Sequence, residues 1–412
     1  MNTSIIAVGT ELLFGQTVNT NAAYLSENLN HLGFNVMYHF VVGDNDGRLE
    51  HTLKRALADT DLVIVTGGLG PTQDDMTKET VARVMDAPLY LNEECLAEVK
   101  KYFSIRNREM APNNVQQAYI PENAVIFRNE AGTAPAFAVN KGDKWVICYP
   151  GPPRELKWIF EDSGKDFLHK FKEKQIYYRV IRTIGIGESD LETLLMPLID
   201  NQTDPTIATY AKEGECTIRV ASQRDTMEEA QATVDDMISR MNNLIGSYIY
   251  SYDDEELKEV VVHKLQKQGL TISSAESCTG GAFAASITDV PGASKVLSRG
   301  YITYDEEAKI SMLGVDPTVI DQYTVVSPEV AIEMAKGARL EAGSDIAVSI
   351  TGYAGPEADE GREAGNAYIG YAYDDTVGAV ELFTKRSDRA WNRNYFRLMM
   401  LKVVNEILDE IK

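Results

Sequence analysis

Twice in 412 residues a short strand-forming run of five empties straight into a glycine-rich turn and then a helix-forming stretch. "LVIVT" (62–66) leads into "GGLGPTQDD", and "LTISS" (270–274) leads into "AESCTGG". A short buried strand followed at once by small residues and a helix is half of a βαβ unit. Such units build parallel sheets covered by helices on both faces, with ligands outside the carboxyl ends of the strands. The chain is therefore expected to be α/β, with two places where chemistry can sit.

The rest of the pattern divides into three segments. Residues 1–173 alternate strand and helix: "SIIAV" (4–8), an Asn-initiated amphipathic helix "NTNAAYLSENLNHLGF", "NVMYHFVV", a helix over "GRLEHTLKRALADT", then "LVIVT". The strands "PAFAV" and "KWVICY" follow, and "PGPPRELKWIF" makes a rigid turn into another helix. This reads as a three-layer α/β domain. Residues 174–252 read β-α-β-β-α-β, a small KH-like or ferredoxin-like domain. It has no Gly-x-x-Gly loop and is rich in Asp and Glu, so a structural spacer is expected rather than an RNA binder. After the acidic "SYDDEEL", residues 253–412 form a second α/β domain holding "DIAVSITG" (345–352), "AYIGYAY" and a closing helix from "SDRAWNR".

Charge and cysteine usage narrow the partners. With 40 Lys+Arg against 62 Asp+Glu, the net charge is −22. Nucleic-acid binding draws on counterion release to Lys and Arg, so direct DNA or RNA contact is disfavoured. A small anion is still accommodated, because backbone N–H groups hold phosphate without net positive charge. The four cysteines (Cys95, Cys148, Cys216, Cys278) are dispersed, which fits a reducing compartment and no structural zinc. No apolar run approaches the roughly 18 to 20 residues of a membrane span, and "MNTSIIAVGTELLFG" lacks the order of a secretory leader. A cytoplasmic protein with no membrane partner is expected.

In the first domain, Gly67, Gly68 and Gly70 let the backbone approach a ligand closely. Thr72 is placed to cap the next helix. Asp74 and Asp75 are paired hard oxygen donors suited to a divalent ion bridging a phosphate, and Lys78 lies one helical turn on. The loop "GTELLFGQTVNTN" borders the same crevice, and its Gly9, Glu11, Asn19 and Asn21 are candidates for ribose or phosphate contact. In the last domain, "AESCTGG" has the strand–turn–helix order of an anion cradle. Glu276, Ser277, Thr279, Gly280 and Gly281 form its candidate set. Downstream, "PGAS" offers Ser294, and Lys309 follows fifteen residues later with Tyr304 between them. A neutral lysine can activate a hydroxyl, and desolvation supplies one. Spacing alone favours a turn-capping Ser294 and a solvated Lys309.

The whole chain resembles the CinA family. "GTELLFGQTVNTN", "VTGGLGPTQDDMTKET" and "PGPPRELK" are similar to its amino-terminal domain, itself akin to the molybdopterin-binding fold. "TISSAESCTGG", "PGAS", "GYITYDEEAK", "VSITGYAGP" and "DRAWNR" are similar to its carboxy-terminal domain, which also occurs alone as a nicotinamide-mononucleotide deamidase. The resemblance implies a metal-dependent ADP-ribose pyrophosphatase in the first domain. There Gly67 to Thr72 would cradle the pyrophosphate, and Asp74 and Asp75 would serve Mg²⁺, Mn²⁺ or Co²⁺. In the last domain it implies a deamidase with no cofactor: Ser294 the nucleophile, Lys309 its base, Tyr304 assisting. The "SCTGG" turn, Thr351, Gly352, Ala354, Gly355 and Arg389 would bind the nucleotide, with Ser277 the second candidate for nucleophile. A homodimer is expected by the same resemblance. Two departures stand out. Glu306 replaces the family's usual Asn, and the loop after "GYAGP" is acidic (357–363) where the family has glycines and Pro-Val-Gly-Thr. Two other readings remain: a pyrophosphatase whose last domain only binds nucleotide, or a regulatory scaffold linked to competence or recombination.

Overall fold

The computed structural model describes residues 1–171, 174–200, 202–357 and 363–411. It divides into two compact units, Met1–Ile176 with Gln223–Ala230, and Tyr177–Ser222 with Gln231–Lys412. Most of the middle segment thus falls in the second unit.

In the first unit, strands β1 (Asn2–Val8), β2 (Asn35–Val42) and β3 (Leu62–Thr66) precede a short pair, β4 (Leu89–Leu91) and β5 (Tyr119–Pro121). Strands β6 (Val125–Phe127), β7 (Ala136–Lys141) and β8 (Lys144–Tyr149) complete the set. The main sheet runs β2-β1-β3-β8-β7-β6, parallel from β2 to β8 and antiparallel beyond. Side chains alternate across it as the pleat requires. Ile5, Ile64 and Ile147 pack to one side with Leu25 and Leu29 of the helix Thr20–Leu32. Ile6, Val63, Val65 and Val146 pack to the other with Leu49 and Leu53 of the helix Asp46–Asp59. Each such side chain contributes about 1.5–3 kcal/mol on burial. Asn19 and Asn45 cap these two helices through Ala22 N and Arg48 N.

The second unit holds two sheets. Strands β9 (Gln175–Ile184), β10 (Thr206–Lys212), β11 (Glu215–Arg224) and β12 (Ile249–Ser251) pair in the order β10-β11-β9-β12. The helices Glu188–Ile199 and Met227–Ile245 pack Leu191, Leu195, Val234 and Met241 against them, giving the expected β-α-β-β-α-β path. The other sheet uses β13 (Ile272–Glu276), β14 (Leu297–Ile302), β15 (Ile346–Gly352), β16 (Asn366–Tyr373) and β17 (Thr376–Phe383), ordered β14-β13-β15-β16-β17. Strands β14, β13 and β15 are parallel; β16 and β17 run against them. Glu276 is in register with Ile302 and Ile350, so the chain leaves all three parallel strands at one edge of the sheet. That edge carries the second site.

Candidate functional site

Lys309 lies on the helix Glu306–Leu313, which Asp305 caps through Ala308 N. The side chain is fully buried, and its Nζ stands 3.4 Å from Ser277 Oγ. It donates to Thr303 O at 2.9 Å, with the carbonyls of Tyr304 and Asp305 at 3.4 and 3.5 Å. Burial pushes the Lys309 amine below the usual lysine range, while Asp305, Cys278 and Glu306 pull the other way. A neutral amine here gives two N–H bonds to carbonyls and turns its lone pair to the Ser277 hydroxyl. Ser277 is itself nearly buried, its N–H donating to Ile350 O at 3.1 Å. The neighbouring Cys278 thiol is pushed up to about 12, chiefly by burial, so it stays protonated.

Ser294 is elsewhere. It sits exposed in the one-turn helix Ala293–Lys295, ahead of β14, beside Gly292 and Gln266. Lys309 comes after β14. Six residues of strand, roughly 20 Å of rise, separate the two ends. The expected Ser294–Lys309 pair is therefore corrected: within this chain the amine meets Ser277.

The final helix, Arg389–Glu410, gathers the loops at this edge with its first turn. Arg389 donates to Gly355 O at 2.9 Å and to Tyr304 Oη at 3.1 Å, so Arg389, Tyr304 and Gly355 do come together. Asn392 donates to Ala354 O at 2.9 Å. Arg393 donates to Cys278 O at 3.2 Å and Thr279 O at 2.7 Å. Asn392 and Arg393 were not singled out in the sequence, though both lie in "DRAWNR". Arg393 is four residues from Arg389 and so shares its helix face.

Four residues expected to bind substrate have other work. Glu276 is buried and accepts from Thr279 Oγ1 (2.8 Å), Phe283 N (3.1 Å), Ala284 N (2.9 Å) and Ser274 Oγ (3.3 Å). This carboxylate and the buried Thr279 build the turn from inside rather than facing a ligand. Thr351 is buried, its hydroxyl donating to Val325 O at 2.8 Å. Gly352 belongs to β15, where a Cβ would run into Ala367. Gly280 and Gly281 have φ of 63° and 93°, which the turn requires.

At the first site, Asn21 donates to Thr66 Oγ1 at 3.1 Å and Gly151 O at 2.7 Å. With Val8, Glu11, Asn19 and Thr66 it lines a notch of about 100 Å³, which brings Glu11, Asn19 and Asn21 to the end of β3. Gly9 is extended, its N–H donating to Val42 O at 2.9 Å. Gly67 and Gly68 have φ of 100° and 69°, and a Cβ on either would strike Val8 O or the Thr77 hydroxyl. Gly70 leaves room for the Asp75 carboxylate. Two expectations are corrected. The helix starts at Thr77, so Thr72 does not cap it; the Thr72 N–H and hydroxyl instead donate to Asp75 Oδ2 at 2.9 and 2.5 Å. Lys78 is buried and donates to Gln116 O, turned away from a ligand on the loop, and its burial lowers its pKa.

Among the described residues no three acidic, His or Cys side chains gather around a common point. The exposed Asp74 and half-buried Asp75 offer two carboxylates, so a divalent ion held there would need water or phosphate oxygens to complete its shell.

Residues 4–170 match the family described as probable molybdopterin binding domain, 178–251 the damage-inducible protein CinA KH domain, and 254–408 the CinA C-terminal domain. A competence-damage inducible protein of Acetivibrio thermocellus is 45% identical over 407 residues, covering 98% of this chain and 97% of its own. The chain belongs to the CinA family. A CinA-like protein of Dictyoglomus thermophilum is 44% identical, covering 97% and 96% of the two chains. The crystal structure of CinA from Thermoplasma acidophilum is 38% identical and covers 40% of this chain and 98% of that one, with a TM-score of 0.38. As CinA-family departures, Glu306 is exposed on the lysine's own helix, and most of the acidic 357–363 loop lies outside the described residues. No helix among the described residues is long and apolar enough to cross a membrane.

Proposed function

We propose that the second unit hydrolyses the carboxamide of nicotinamide mononucleotide, with Ser277 as nucleophile and Lys309 as base. The observation that carries this is a fully buried lysine, its pKa lowered, 3.4 Å from a serine at the ligand edge of a parallel sheet. Ser277 Oγ attacks the carboxamide carbon while the Lys309 amine takes its proton. Lys309 then passes that proton to the leaving nitrogen, and ammonia departs. Water, activated by the same amine, cleaves the acyl-Ser277 ester to nicotinic acid mononucleotide. Arg389 and Tyr304, exposed at the mouth, are placed to meet the nucleotide. The choice of substrate rests on the family resemblance. Ammonia release from nicotinamide mononucleotide tests the reading: Ser277→Ala should abolish it and Ser294→Ala should leave it. The opposite result would return the nucleophile to Ser294.

For the first unit the proposal is hydrolysis of the ADP-ribose pyrophosphate, with phosphates on the Gly67–Thr72 turn and a divalent ion held by Asp74 and Asp75. Support comes from the open glycine backbone beside two carboxylates and the Asn21 notch. When bound, the ion would polarise a phosphoryl oxygen and ease deprotonation of water. Turnover of ADP-ribose that needs no added divalent ion would overturn this assignment.

A further inference from the structure

Arg393 has no place in the reaction as drawn so far, yet its guanidinium spans the turn that carries Ser277. Nε donates to Cys278 O at 3.2 Å and Nη2 to Thr279 O at 2.7 Å, the carbonyls of the two residues directly after the serine. We propose that Arg393 is a positioning residue that locks these two peptide planes, so that the Thr279 N–H faces the acyl oxygen of the substrate. This rests on Ser277 being the nucleophile.

The geometry follows from the planarity of the trans peptide, in which C=O and N–H point opposite ways. Carbonyls drawn toward the guanidinium leave both N–H groups on the far side of the turn. One of them, Gly280 N–H, opposes Thr279 O and donates to Ser277 O at 3.0 Å, so that side faces the serine. The other, Thr279 N–H, opposes Cys278 O and has no acceptor among the described residues. A fixed donor two residues from the nucleophile, held before substrate arrives, is what a developing oxyanion needs. The charged fork also polarises the peptides whose carbonyls it binds, which strengthens the N–H groups as donors. A purely structural Arg393 would brace the turn without favouring one step of the reaction. The two roles separate in the kinetics.

For ammonia release, Arg393→Gln should lower kcat by about 100-fold with KM nearly unchanged. Arg393→Lys, which keeps the charge but not the fork, should lie between, and added guanidinium ion should partly restore Arg393→Ala. Unchanged kcat, or a loss confined to KM, overturns the proposal. A second measurement does not depend on nicotinamide mononucleotide: phosphonylation of Ser277 by a small fluorophosphonate, followed by intact mass. Slower labelling of Arg393→Gln at unchanged melting temperature supports the role even where the nucleotide proves not to be the substrate. Equal labelling of wild type and variant, or none of Ser277 in wild type, overturns it. If Arg393→Gln does not fold, Arg393→Lys serves both arms.

Discussion

Thr66 and Glu276 each end a buried parallel strand, and each is followed within five residues by two glycines of positive φ. From there the two turns differ. The turn after Thr66 is braced by its own residues, Thr72 on Asp75, and its second carboxylate, Asp74, stays in water. Its lysine, Lys78, is spent on a carbonyl. The turn after Glu276 is braced by its own buried carboxylate beneath and by Arg393 from another helix across it, and its lysine is aimed at a hydroxyl. An open, acid-bearing loop suits an ion and phosphates arriving together. A dry, clamped one suits covalent chemistry, because burial there favours the neutral form of an amine that faces a hydroxyl.

The sharpest way to break this contrast is to remove the amine or its target. Lys309→Ala and Ser277→Ala should each cut ammonia release about a thousandfold or more and leave ADP-ribose hydrolysis untouched. Loss of both activities would show that the contrast is false. Next, Asp75→Asn keeps an acceptor for Thr72 but removes the charge. Metal titration of ADP-ribose hydrolysis should then need on the order of tenfold more ion, about 1.4 kcal/mol. An unshifted titration would make Asp75 only a brace. Third, Glu276→Gln faces four donors with an amide and should cost about 1–3 kcal/mol in denaturant unfolding. A neutral result would deny that the turn is built from within. The smallest effect concerns pH. Because burial lowers the folded pKa of Lys309, kcat/KM for ammonia release should rise with pH through a midpoint below the ordinary lysine value. Glu306 raises that pKa, so Glu306→Gln should move the rise to lower pH. Movement the other way would place the working base elsewhere.

The elements were largely legible because each is local. Asn19 heads its helix, the βαβ alternation gives a covered sheet, and both glycine turns follow short strand-forming runs. Strand β17 was missed: "TVGAVELF" is an edge strand with little buried surface, so its pattern is weak. The site was half legible. The sequence singles out Lys309, which the structure buries beside a hydroxyl, but it pairs that lysine along the chain with Ser294 rather than Ser277. Parallel strands decide otherwise, since residues leaving β13 and β14 at their carboxyl ends share an edge while those entering β14 do not. That rule was available from "GYITY" standing between the two residues. The roles of Glu276, Thr279 and Thr351 were not, because a polar residue in a turn reads alike whether it faces a ligand or the interior. Only coordinates show which way the side chain went.

The helix that ties Tyr304, Ala354, Gly355 and the Ser277 turn together starts at Arg389, far along the chain from the loops it holds. A truncation ending just before it would still contain serine and lysine yet leave the surrounding loops untethered. Proteolytic nicking of those loops, absent from the full chain, would reveal the difference.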